Sequence, residues 1–368
     1  MSNSLKPRLI LHIMVVLVFL TVAAAAEDAA SQIKREATRL EQSLKDRPLT
    51  DPDLAEINTI VAASLKNVSA ALNAGHVYLA LEDLAEAFDL VHGGRAAADK
   101  ATVLKGGLPA YDAEWNDARL KLTALDQEAT KRNWSHAPAA LQALSEAAQG
   151  KSLPLLEGGR GFATATEPKD GLLYLGEAQG EAQFAQFCAS LTLPRKSASF
   201  PLRSLSAELQ ILQDKTNAAF QPPKSIELHS RFIGLNSSIK LAQELNARKF
   251  YAGALYQYLD GVRRYGMLDA PPLDAAKQSA LNDSLGAAQK KLAASVRDDS
   301  IAQLFVERAA SQIAHADGSA PSADEWRSAQ VIVDQVLPAY FAAEKPVSST
   351  PKAPENLVTI TLVRWPYT

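Results

Sequence analysis

Chemistry in this sequence would have to come from a few places: six histidines, of which His12 lies in the apolar leading segment, one cysteine, one glycine-rich loop and the acids near position 83. A metal site needs ligand side chains at spacings that converge, and HExxH or HxxxH on a helix is the compact form. His76, His92, His136, His229 and His315 show neither spacing, and none stands beside a cysteine. No metal is expected. His76 and His92 fall at turns or helix ends, where an imidazolium is electrostatically ordinary. All five histidines read as structural or solvated. Cys188 has no second cysteine to pair with, which excludes an intramolecular disulfide and a redox CxxC pair. Its neighbours Phe184 and Phe187 point to a packed, inert thiol.

The glycine-rich loop is Glu157-Gly158-Gly159-Arg160-Gly161-Phe162, running on to Asp170-Gly171. A nucleotide phosphate loop needs Lys-Ser/Thr after its last glycine and a strand before it. Both are missing, so no nucleotide cofactor is expected, nor any other. Arg160 with nearby backbone amides makes a candidate site for a small anion; the plainer reading is a connection between helices. Glu82, Asp83 and Glu86 lie on the polar side of their helix and read as solvated acids. The GxSxG nucleophile elbow is absent, so no catalytic residue is assigned.

The aromatic residues are more informative. Tyr251, Tyr258 and Tyr265 follow the 3-4 spacing of a core stripe, while Tyr256 falls off it and is expected to face a groove. With Arg263 and Arg264 on the same hairpin, Tyr256 makes a candidate protein-binding surface, because aromatic and arginine side chains are favoured at interfaces.

The elements that must position these residues are helices. The chain has 368 residues, 47% of them hydrophobic and 21% charged, which excludes a disordered or collagen-like polymer. A net charge of −3 supplies no basic field, so no nucleic-acid partner is expected. Good helix formers at a period of 3.6 dominate. Residues 30–46 carry Ile33, Ala37, Leu40 and Leu44 on one stripe, and Pro48 ends that helix. Next, Leu54, Ile57, Val61, Leu65, Val68 and Leu72 form one apolar stripe, and Val77, Leu81, Leu84, Phe88 and Val91 form another beyond the turn 73–75. This αα-hairpin has an echo downstream: Leu54, Val61, Leu65 and Val68 align without a gap on Leu228, Leu235, Ile239 and Ala242. Further helices are read at 109–133, 137–156, 170–192, 203–219, 273–294, 299–316 and 322–343. The expected fold is all-α, with antiparallel hairpins stacked as a repeat-like (TPR-like) array, since one hairpin cannot bury its own apolar face.

Residues 1–26 read as a signal peptide. Lys6 and Arg8 precede an apolar run, and Ala23 to Ala26 supply a small-residue cleavage site. The expected location is therefore periplasmic or secreted, with no membrane span after cleavage; the alternative is retention as an N-terminal anchor. Pro194 to Pro201 divides the remainder into helical halves at 27–193 and 202–343. Residues 344–368 are read as a Pro/Ser-rich linker and a strand-like tail, with Ile360, Leu362 and Trp365 as candidate contacts for a partner's sheet edge. The functional expectation is an exported helical module that binds a protein partner, acting as a scaffold in the cell envelope. The alternative is an enzyme or small-molecule carrier with its site near 157–171. A deep polar cleft with convergent Arg160, Glu and His groups favours an enzyme, an apolar cavity the carrier, and a shallow tyrosine-lined groove the protein-binding module.

Overall fold

Fourteen helices follow the apolar stripes closely in the computed structural model, which describes residues 29–99, 101–164, 169–315 and 318–345. The signal segment 1–26 and the strand-like tail with Ile360, Leu362 and Trp365 lie outside these residues. In the first half run α1 (29–46), α2 (Ala55–Asn73), α3 (Val77–Asp99), α4 (Ala101–Ala129), α5 (Ala139–Gly159) and α6 (Lys169–Ser190). The second half holds α7 (Ser206–Ala219), the single turn α8 (Lys224–Glu227), α9 (His229–Ala247) and α10 (Tyr251–Gly266). It ends with α11 (Ala275–Ala294), α12 (Ser300–Ile313), α13 (Ala323–Val331) and α14 (Leu337–Ala342), a π-turn at Ile332–Val336 joining the last two. Among the described residues there is no strand, only an isolated parallel bridge between Ala198 and Arg297. Among them, too, no helix is long and apolar enough to cross a membrane.

Hairpins α2–α3 and α9–α10 form as read, but packing is not limited to neighbours along the chain. Helix α5 touches α6, α9, α10 and α12, and α3 touches α6 and α12, so the two halves share one apolar core. An open repeat array would confine contacts to adjacent units. Helices α3 and α6 approach very closely. A methyl group added at Gly176 would stand 2.2 Å from the His92 carbonyl oxygen, and one at Gly180 would stand 2.7 Å from that of Phe88. Only glycine lets these backbones meet.

The echo between the hairpins reaches into their polar contacts. Ser64 donates to Glu86 at 2.5 Å, and at the equivalent positions Ser238 donates to Asp260 at 3.0 Å. The two halves also cap each other. Glu307 of α12 accepts the Tyr78 and Leu79 amides at 3.0 Å, closing the N-terminus of α3. Glu146 of α5 accepts the Gly253 amide at 2.8 Å, closing that of α10. Each cap is steadied from one turn earlier, Gln303 donating to Glu307 at 2.9 Å and Gln142 to Glu146 at 2.7 Å. Orphan amides at a helix start need acceptors, and a carboxyl also complements the helix dipole.

One face of the sequence reading is reversed. On α10 the buried side chains include Ala252, Leu255, Tyr256 and Leu259, whereas Tyr251, Tyr258 and Tyr265 are half-buried. The cause is that α10 is gripped from two sides, by α5 and by α9. Tyr265 flanks the small cluster around Phe232 and Ile239, and Tyr258 flanks both that cluster and the main core, while Tyr256 sits inward beside Phe305.

Candidate functional site

The echo also shows where the halves differ. Helix α5 packs directly on α9, with Gly150 so close to Leu245 that a methyl group there would stand 2.6 Å from its Cδ2. In the other half α12 packs on α3 but stands off α2. The α2 residues equivalent to Leu241 and Leu245 are Asn67 and Ala71, too short to close the gap. The result is a cleft of about 610 Å³ between α2, the start of α3, the end of α12 and the start of α13. Lys66, Asn67, Ala70 and Ala74 form one wall, and Ser311, Gln312 and His315 form the other. His76, Asp83, Glu82 and Arg263 lie between them, and Glu325 closes one end.

The base of this cleft is a buried ion network. The Arg308 guanidinium, with 15% of its side chain exposed, grips both Glu82 oxygens, Nε at 3.0 Å and Nη2 closer still. Its Nη1 reaches Asp260 at 3.3 Å. Asp260 also takes Nε and Nη2 of Arg263 at 3.0 and 2.8 Å, Nε of Arg264 at 2.6 Å and the Ser238 hydroxyl. Burial alone would push the Asp260 carboxyl up. The Arg263, Arg308 and Arg264 charges outweigh burial and hold it well below the usual carboxylate range. Tyr256 donates its hydroxyl to Glu82 from beneath. Buried charges persist only when paired in this way.

Asp83 is the exception. It has no hydrogen-bond partner among the described residues, and burial together with the neighbouring Glu82 charge pushes it up to about 7. Two other cleft side chains have buried atoms without a partner, Nδ1 of His76 and Oε1 of Gln312. Burial lowers the His76 pKa, which favours the neutral ring. Lys66 has a partner of its own. At the far end His315 bridges Ser319 at 2.7 Å and Glu325 at 2.9 Å. That chain has the order of a hydrolase relay, but Ser319 is exposed and stands outside the cleft lining. Glu325 is engaged as the capping box of α13 with Ser322, and these bonds hold its pKa down against the opposing effect of burial.

Of the residues singled out in the sequence, Arg263 lines this cleft and Tyr256 supports it from below. Arg264 lies alongside with 42% of its side chain exposed. Tyr256 does not face a groove: it packs beside Phe305 of α12 and bonds Glu82 of α3, and 8% of it is exposed. Arg160 is elsewhere. It pairs with Asp112 at 2.5 Å and lies over the Tyr111 ring at 5.4 Å, and much of the glycine-rich stretch around it is helical, since α5 runs to Gly159. Cys188 is buried, and burial pushes its thiol up, away from reactivity. Among the described residues no three His, Cys, Asp or Glu side chains converge on a metal position.

Sequence reasoning missed the cleft acids. Glu82 and Asp83 look solvated on a helical wheel, but Arg308 reaches Glu82 across 226 residues of chain. The signal that could have exposed this is Arg308 itself, an arginine set within the apolar face of Leu304, Phe305 and Ala309.

Fold and site together define an all-α protein with a charged cleft between α2, α3 and α12. No protein family, curated protein or solved structure matches this chain.

Proposed function

We propose that the chain is an exported binding module of the cell envelope and that the cleft of α2, α3 and α12 receives its protein or peptide partner. Residues 1–26 support export, and the helical hairpins, read from sequence as a TPR-like scaffold, serve as the walls. One observation carries the reading: α5 seals against α9, whereas the equivalent seam between α12 and α2 is held open and lined with polar groups. A seam this polar, with unpaired acceptors, is a cost that a purely structural interface would not retain. Binding is favoured over catalysis because the cleft arginines are spent on Glu82 and Asp260, and the Ser311 hydroxyl in the lining has no hydrogen bond to a base among the described residues.

The test compares captures from the organism's own envelope fraction by the mature chain and by Ala70→Trp, which fills the cleft from a half-buried wall position. The expected result is a partner held by the native chain and lost from the variant, with both equally stable to heat. Identical captures by the two proteins would refute the cleft as the binding site.

A further inference from the structure

We infer that the group received by the cleft is a protonated amine, a lysine side chain of the partner or a free amine, held by Asp83 with Gln312 and His76. This rests on the cleft being the binding site and adds the chemistry of what enters it.

The argument is an inventory of what is left unpaired. Arg308 gives its Nε and Nη2 to Glu82 and its Nη1 to Asp260. Arg263 gives Nε and Nη2 to Asp260. These cations are neutralised from within the protein. The buried atoms that remain without partners in the same cavity are Oε1 of Gln312 and Nδ1 of His76, which accepts when the proton of the neutral ring is on Nε2, and the Asp83 carboxyl beside them has no hydrogen-bond partner among the described residues either. An anion at that spot would meet a carboxyl and two buried lone pairs. An ammonium offers three donors and one positive charge. It would satisfy each acceptor and add countercharge beside a half-buried carboxyl on which burial and Glu82 outweigh the Arg308 charge. The three groups come from separate places, the turn before α3, the middle of its first turns, and the last turn of α12, so they surround a volume and do not merely line one helix. A cleft of about 610 Å³ has room for a lysine side chain and the backbone that carries it.

The experiment is calorimetric titration of the whole mature chain with four probes: N-acetyl-lysine amide, 1,4-diaminobutane, N-acetyl-norleucine amide and inorganic phosphate. Binding of the lysine derivative or the diamine, with none of the norleucine derivative, is expected. Asp83→Asn should weaken it by about tenfold or more, because the charged hydrogen bond is lost while the shape is kept. Gln312→Leu should weaken it further with the fold intact, as judged by an unchanged thermal transition. Preference for the lysine derivative identifies a partner's side chain, and preference for the diamine a free amine. Unchanged amine binding in Asp83→Asn, binding of phosphate alone, or no binding of either amine would each overturn the inference. If envelope capture remains sensitive to Ala70→Trp in those cases, only the chemistry of the ligand is wrong. If capture is insensitive as well, the cleft itself is not the site.

Discussion

Replacing Arg308 by methionine is expected to destabilise the protein by about 3–5 kcal/mol, the usual cost of stripping one partner from a buried ion network. Methionine keeps the stem of the side chain but removes both guanidinium donors to Glu82 and one of the donors to Asp260. Asp260 would keep Arg263 and Arg264, so its charge remains compensated. Glu82 would keep only the Tyr256 hydroxyl and become a poorly compensated charge in the base of the cleft. Denaturation by urea measures the loss. The double variant Arg308→Met with Glu82→Gln should recover most of it, because removing both charges leaves nothing stranded. A double variant no more stable than Arg308→Met would show that Arg308 acts through packing on Phe305, which it overlies at 5.1 Å, and not through its charge.

The reciprocal caps predict an unusual dependence on pH. Burial pushes Glu146 and Glu307 from 4.5 up to about 7, and their hydrogen bonds from backbone amides and glutamines offset only part of that. A carboxyl whose folded pKa lies above its unfolded one binds protons more tightly in the folded state. Its contribution is therefore complete below about 4.5 and is lost as pH rises through about 7. Each group contributes at most about 3 kcal/mol over that span. Asp260 has the opposite sign: its pKa is depressed, so its contribution is present above the ordinary carboxylate range and is lost only in strong acid. Stability should accordingly be greater at pH 5 than at pH 8 and fall again in strong acid. Urea midpoints across this range test it, and the double variant Glu146→Gln, Glu307→Gln should flatten the slope between pH 5 and 8. A native chain whose stability rises steadily from pH 5 to 8 would contradict the assignment.

Most of the helical frame was legible in the sequence because it rests on local pattern. Apolar spacing located both hairpins, and the turn at 73–75 falls where α2 ends and α3 begins. The echo of Leu54 to Val68 in Leu228 to Ala242 has a counterpart in the serine–carboxylate contacts of the two hairpins. Sharper signs of it also stood in the sequence: Gln142 and Glu146 share the spacing of Gln303 and Glu307, and both pairs cap a helix of the other half. What local pattern could not provide was which face of a doubly gripped helix is innermost, hence the reversal on α10. Nor could it provide the cleft, which exists because α12 stands off α2, a matter of long-range packing. Asp83 looks like any solvated acid until the elements around it are in place.

The claim that this cleft is where a partner binds is tested most directly by amide hydrogen exchange on the mature chain, with and without its envelope partner. The account predicts new protection confined to the end of α2 from Lys66, the start of α3 through Asp83, and the end of α12 from Arg308. Protection centred on Arg160 and the stretch 157–171, with the three cleft segments unchanged, would contradict it.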